Sequence, residues 1–130
     1  MNLDPLHVVA RATLGNLLLE KRKFSEAVDV FSDGIALDGN VADLQFGLAR
    51  ANLAQGKNLE PGMRAIRKAM NLGMKNEKTY FVLGQFYQRL LQYDRAMKAF
   101  EKVLELDDSN IAAKQNIKIL KEKMNEDEFE

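Results

Sequence analysis

The chain has no cysteine, no tryptophan, two prolines and a single histidine among its 130 residues. Without cysteine there is no disulfide framework and no thiolate to act as a nucleophile or zinc ligand. The one histidine, His7, has no acidic pair beside it at a ligand spacing, so no metal site is expected. The sequence also lacks a glycine-rich phosphate loop and a nucleophile elbow. We therefore expect a protein that is not an enzyme and binds no cofactor and no small-molecule substrate.

Net charge and long apolar runs are absent too. Lys+Arg and Asp+Glu both count 19, so no net field attracts the chain to nucleic acid or to an anionic membrane. Because no 18 uncharged apolar residues occur together and no basic-then-apolar leader is present, neither membrane insertion nor export is predicted. These features favour the cytoplasm for the chain as given. The lack of cysteine fits the periplasm and the cell exterior equally, so the compartment of the full-length protein is left open.

Two sets of positions recur along the chain at a fixed spacing. The first set pairs a leucine with a small residue, in steps of 34 and then 35 residues: Leu14-Gly15, Leu48-Ala49 and Leu83-Gly84. The second set is bulky and steps by 35 and then 34 residues: Phe31, Ile66 and Phe100. The extra residue therefore lies after Leu48-Ala49 of the first set and before Ile66 of the second set. It falls in the polar turn 55–58, where an insertion costs little. The sequence thus predicts a unit of 34 residues with one lengthened turn.

The sequence of each unit predicts two amphipathic helices, because apolar residues recur at spacings of three and four residues and Gly or Asn marks the helix ends. We place them at roughly 6–21, 25–37, 42–54, 60–72, 77–90 and 94–106, with a seventh at roughly 110–125. The seventh helix has one apolar stripe and many lysines, as expected of a capping helix that solvates the last hairpin. Its stripe is Ala113, Ile117, Leu120 and Met124.

Small residues predict where the two helices of a hairpin approach closely. The pairs are Gly15 with Ala27, Ala49 with Gly62, and Gly84 with Ala96. The leucines and bulky residues of the two recurring sets are expected to fill the space around these contacts. Gly34, Ala69 and Val103 are expected to meet the first helix of the following unit.

These markers resemble the tetratricopeptide repeat family, whose unit is a 34-residue helix-turn-helix. The third unit matches best, through Tyr80, Leu83, Gly84, Tyr87, Ala96 and Phe100. Departures occur where Arg11 and Gln45 replace the first aromatic residue and Asn52 replaces the second. The resemblance implies an all-α, right-handed solenoid of three hairpins and a cap, seven helices in one domain over 1–125. Its repeats would cover about 8–41, 42–76 and 77–110, the cap about 110–125, and an acidic tail 126–130.

The resemblance further implies a protein-interaction scaffold that binds a partner peptide or protein segment in a concave groove lined by the first helices. Phe46 and Phe81 occupy equivalent positions there and are expected either to anchor a peptide or to pack in the core. The groove residues expected at these spacings are Asn16, Glu20, Asp43, Phe46, Arg50, Lys78, Phe81, Gln85, Gln88 and Arg89. The alternative is a structural module that self-associates into a homo-oligomer. Because Leu3-Asp4-Pro5 resembles the end of a unit, the chain is also compatible with a piece of a longer repeat protein of an assembly complex.

Family members that clamp the terminal carboxylate of chaperones use five polar residues. The matching positions here hold Ala12, Asn16, Gly47, Lys78 and Val82, so two of the five are retained. A terminal carboxylate needs several charge-assisted hydrogen bonds. The sequence therefore predicts that this clamp is absent.

Overall fold

The computed structural model describes residues 5–128, and in that range the chain forms seven α-helices and no strand. The all-α class and the count of seven helices agree with the prediction. The helices are α1 (Pro5–Glu20), α2 (Phe24–Leu37), α3 (Ala42–Gln55), α4 (Glu60–Asn71), α5 (Glu77–Arg89), α6 (Tyr93–Leu106) and α7 (Ile111–Glu128). The cap was expected to end near 125, but α7 continues to Glu128. Residues 126–128 of the expected tail are therefore helical, while the expected end of a unit at residues 3 and 4 lies outside the described range.

The chain divides into two compact units, with the boundary between Met74 and Lys75. The first unit contains α1 to α4, and the second contains α5 to α7. The boundary falls close to the predicted end of the second repeat at residue 76. Gly73 lies in the turn before it with a φ of +103°, which glycine adopts without a steric penalty.

Local signals explain several helix ends. Asn76 and Thr79 form a reciprocal capping box at the start of α5: each side chain accepts a hydrogen bond from the other's main-chain N–H, both at 3.0 Å. Asn110 caps α7 by accepting from the Ala113 N–H at 2.9 Å. Helix α3 ends at Gly56, whose φ of 74° is left-handed.

The core of the first unit is organised around the ring of Phe31 on α2. Phe31 is fully buried with Ala27, Leu44 and Ala51. Gly15 of α1 and Gly47 of α3 lie so close to the ring that a Cβ at either position would overlap it. The close approach predicted at Gly15 is therefore present, and Gly47 makes a second one that the sequence did not indicate.

The predicted contact of Gly34 with the first helix of the following repeat is also present, within the first compact unit. A Cβ at Gly34 would lie 3.0 Å from Cδ1 of Leu44 on α3. In the second unit, Gly84 of α5 faces the Phe100 ring of α6 in the same way, with a Cβ-to-ring distance of 2.8 Å. Leu120 of α7 joins that core, as the predicted stripe of the cap requires.

One packing expectation was wrong. Leu14 was expected to fill the hairpin interior, but it is 46% exposed, whereas its equivalents Leu48 and Leu83 are half-buried. Among the described residues α1 packs mainly against α2 and α3, and the exposure of Leu14 shows that neither helix covers it. None of the helices in residues 5–128 is long and apolar enough to cross a membrane.

Candidate functional site

The ten predicted site residues fall into two groups, one in each compact unit. In the first unit, α1 carries Asn16 and Glu20, and α3 carries Asp43, Phe46 and Arg50. The two helices pack against each other, so these five residues share one compact unit. We call this set of five residues the α1–α3 face. In the second unit, α5 alone carries the other five predicted residues: Lys78, Phe81, Gln85, Gln88 and Arg89.

The α1–α3 face is a polar surface around one aromatic ring. Asp43, Phe46 and Arg50 follow one another at i, i+3 and i+7, which places them on one side of α3. The other side of α3 is buried, with Leu44 and Ala51 in the core, so the charged residues are directed to solvent. Asn16 and Glu20 of α1 are exposed as well.

The Phe46 ring is half-buried and covered by a cation. The guanidinium carbon of Arg50 lies 5.7 Å from the ring centroid, a distance typical of a cation–π interaction. Aromatic residues and arginine are enriched in protein–protein interfaces, and arginine is enriched among their hot spots.

Phe81 has a different environment from its equivalent, Phe46. Its ring meets Phe100 edge to face, with centroids 5.4 Å apart and an interplanar angle of 65°. It also packs against the core of the second unit, which includes Ala96 and Leu120. Phe81 therefore packs against the core of its unit, whereas for Phe46, which is equally half-buried, the choice between groove and core stays open.

The other four predicted residues of α5 keep part of their side-chain surface exposed to solvent. Lys78 and Arg89 are exposed, while Gln85 and Gln88 are half-buried. Together they give α5 a polar surface with two cations and two amides. Lys78 and Phe81 are separated by three residues and Phe81 and Gln85 by four, so they lie on one side of the helix.

The positions of the chaperone carboxylate clamp are not suited to that role. Val82 is only 7% exposed, so its backbone position is part of the core of the second unit. Gly47 is buried against Phe31, and any side chain there would overlap the ring. A polar side chain at position 47 would therefore have no room, and of the five positions only Asn16 and Lys78 present polar side chains to solvent.

Sequence reasoning missed two buried amides, Gln45 and Asn52, which are 7% and 5% exposed on α3. The sequence contained a signal for both residues, because each stands where the resembling family has an aromatic residue. Within residues 5–128, no group of three or more His, Asp or Glu is placed where it could hold a metal ion.

One repeat of this chain matches a known protein family, and its fold is similar to that of solved structures. Residues 77–110 match the model of the tetratricopeptide repeat. No curated protein matches the sequence. Among solved structures, the first tetratricopeptide domain of Spaghetti (RPAP3), bound to the HSP90 peptide SRMEEVD, has a TM-score of 0.86 at 22% identity, covering 96% of this chain and 98% of that one.

Two further structures are similar at slightly higher identity. The Arabidopsis OM64 tetratricopeptide domain has a TM-score of 0.82 at 26% identity, covering 88% of this chain and 94% of that one. The second domain of human RPAP3, in complex with the HSP70 peptide SGPTIEEVD, has a TM-score of 0.80 at 26% identity, covering 89% and 96%.

Proposed function

We propose that this chain, which belongs to the tetratricopeptide repeat family, is a protein-interaction scaffold that holds a segment of a partner protein on its α1–α3 face. The observation that carries the proposal is the half-buried Phe46 ring beside the Arg50 guanidinium. The exposed Asp43 lies on the same helix, and the exposed Asn16 and Glu20 lie on α1, which packs against that helix. Structures of similar domains bound to HSP90 and HSP70 peptides support a peptide as the ligand. The chain would act as an adaptor and carry out no reaction; its location in the cytoplasm stays a prediction.

The partner segment should differ from the peptides in those similar structures. Both of those peptides end in Glu-Glu-Val-Asp. Here a clamp for a terminal carboxylate would need polar side chains at Gly47 and Val82, which are buried. We infer that this chain binds an internal segment, with an apolar side chain on Phe46 and an acidic one near Arg50.

The experiment is a selection from a random displayed-peptide library against the wild-type chain. Peptides that are enriched should carry an apolar residue and an acidic residue close together. Fluorescence anisotropy should then show at least about tenfold weaker binding of these peptides to Phe46→Ala and to Arg50→Ala, as expected for hot-spot residues.

The chain offers a matched control in Arg22 and Phe24. Arg22 lies over the Phe24 ring at 5.6 Å, so this pair has the same cation–π geometry on a different part of the first unit. Phe24→Ala should leave peptide binding unchanged. If the peptides bind Phe46→Ala as tightly as wild type, or if Phe24→Ala weakens them equally, the α1–α3 face is not the site.

The absence of the carboxylate clamp has its own test. The peptide SRMEEVD, with a free C-terminus or an amidated one, is titrated against the chain. We expect no preference for the free carboxylate. A tenfold or larger preference, a free-energy difference of about 1.4 kcal/mol, would mean that a clamp exists in spite of Gly47 and Val82.

A further inference from the structure

The exposed faces of α2 and α4 carry opposite charges at equivalent positions of neighbouring repeats. Asp29 and Asp33 of α2 correspond to Arg64 and Lys68 of α4, each 35 residues later. All four side chains are exposed, and both helices pack against α3 in the first compact unit. One unit therefore presents an acidic and a basic surface built on the same repeat positions.

The acidic surface is a ridge along α2. Glu26, Asp29 and Asp33 are all exposed, and α2 contains no basic residue. The half-buried Val30 lies between the carboxylates, and Leu37 at the end of the helix is 37% exposed. We call this surface the α2 ridge; it combines three negative charges with apolar side chains.

The basic surface borders a crevice of about 430 Å³ between α3 and α4. Leu48, Pro61 and Ala65 supply its apolar lining, and Arg64 and Lys68 supply the cations. No acidic residue lines it. We call it the α4 crevice, and its composition is complementary to that of the α2 ridge.

Arg64 is already paired within α4, because its Nη1 lies 2.9 Å from Oε1 of Glu60. Both side chains are about two-thirds exposed or more, at 67% and 73%. An exposed pair of this kind contributes only about 0–1 kcal/mol, so Arg64 can exchange Glu60 for another carboxylate at little cost. With Arg67, helix α4 has three cations against one carboxylate.

We propose that the α2 ridge of one copy docks in the α4 crevice of a second copy, and that the α2 ridge of the second copy docks in the α4 crevice of the first. Because ridge and crevice belong to one compact unit, a two-fold axis pairs both at once and closes the assembly as a dimer. The charges steer and select this association more than they strengthen it, and salt weakens it.

Helix α6 provides a matched comparison. Lys98 and Lys102 stand at the positions of Arg64 and Lys68, one repeat later. There, however, Glu101 and Glu105 lie alongside, and Nζ of Lys102 is 3.0 Å from Oε2 of Glu105. Glu105 raises the pKa of Lys102 by accepting a hydrogen bond and by its charge. Since acids and bases balance on α6, we assign the docking site to α4.

The test measures sedimentation velocity of the whole chain over a range of concentrations. The wild type should dimerise at about 50 mM salt, with a dissociation constant that rises roughly tenfold or more at about 500 mM. Two charge-reversed variants are compared: Asp29→Lys with Asp33→Lys, and Arg64→Asp with Lys68→Asp. Each variant alone should be monomeric, and an equimolar mixture should form the dimer again, because opposite charges then meet at both contacts.

One folding control and three further variants distinguish this interface from others. Circular dichroism at about 500 mM salt and low protein concentration, where the wild type is monomeric too, should show similar melting of wild type and both charge-reversed variants. Lys98→Asp with Lys102→Asp on α6 should leave dimerisation intact, and so should Phe46→Ala, which separates this proposal from the peptide site. Leu17→Lys probes the apolar side of α1, where Leu17 is exposed.

A wild type that stays monomeric at low salt and high concentration overturns the proposal. So does a dimer that survives both charge reversals, or one that is lost only in Leu17→Lys, since the contact would then be the apolar side of α1. Failure of the mixture to dimerise would show that the two charge effects are not reciprocal and would also exclude the two-fold arrangement.

Discussion

The side-chain amide of Asn52 donates a hydrogen bond to the main-chain carbonyl of Asn58, with Nδ2 and O 2.8 Å apart. This bond crosses the turn that is one residue longer than in the other repeats. Gln45, two turns earlier on α3, makes the matching bond to the carbonyl of Gly39 at 2.9 Å. In the third repeat the same two positions hold Tyr80 and Tyr87. The second repeat has thus replaced two rings by two amides, each of which fixes a turn next to α3.

Asn52→Ala should lower the free energy of unfolding by about 1–3 kcal/mol, because the carbonyl of Asn58 loses a buried donor. Part of that loss will be offset, since Oδ1 of Asn52 is buried and accepts no hydrogen bond in the described structure. Urea denaturation followed by circular dichroism measures the change. Asn71→Ala, at an exposed position, is the control and should stay within about 0.5 kcal/mol of wild type. Equal effects of the two changes would mean that the Asn52 bond does not stabilise the turn.

Gly47→Ala should destabilise the chain by roughly 1–3 kcal/mol, because the new methyl group overlaps the Phe31 ring. Gly39→Ala is its control: a Cβ there would come no closer than 3.6 Å to any atom, and its effect should be small. Phe31→Leu removes the two ring atoms with the closest approach, Cε1 and Cζ, so the loss caused by Gly47→Ala should shrink in the double variant. Thermal or urea unfolding of the four variants gives this coupling, and strict additivity would contradict the proposed overlap.

Leu91→Gly should stabilise the chain. Leu91 is 71% exposed and has a φ of 61°, a left-handed conformation that costs a leucine about 1–2 kcal/mol. Glycine removes that strain but adds entropy to the unfolded chain, so the net gain should be about 0.5–1 kcal/mol. Leu90→Gly is the neighbouring control, since its φ is −86° and glycine offers no relief there. The melting temperature should rise for the first change and fall for the second; a fall for both would show that the leucine at 91 is not strained.

The spacing of the two marker sets predicted the repeat unit, and the shift of phase between the sets predicted its longer turn. The apolar spacing of three and four residues within each unit predicted the helices. The site was less predictable, since exposure depends on neighbours outside the repeat pattern. Leu14 matches Leu48 and Leu83 in sequence, yet it is 46% exposed whereas they are half-buried. Gly47 is unremarkable in the sequence, and its role appears only because the Phe31 ring reaches across from α2. The two amides of α3 could have been suspected, as polar residues at aromatic positions need buried partners.

Phe46 and Phe81 should respond differently to the same substitution, although they are equivalent in the repeat. Phe81→Ala removes an edge-to-face contact with Phe100 and part of the second unit's core, so it should cost about 2–4 kcal/mol of stability. Phe46→Ala removes a half-buried ring together with its cation–π contact to Arg50, and that contact contributes about 0.5–1 kcal/mol. We expect a smaller loss of about 1–2 kcal/mol. Urea unfolding of the two variants compares these costs directly. Conservative Phe81→Leu should recover most of the stability, because it restores apolar volume. Equal losses for the two alanine variants would mean that Phe46 is as much a core residue as Phe81, and the ring could then not serve as a binding surface.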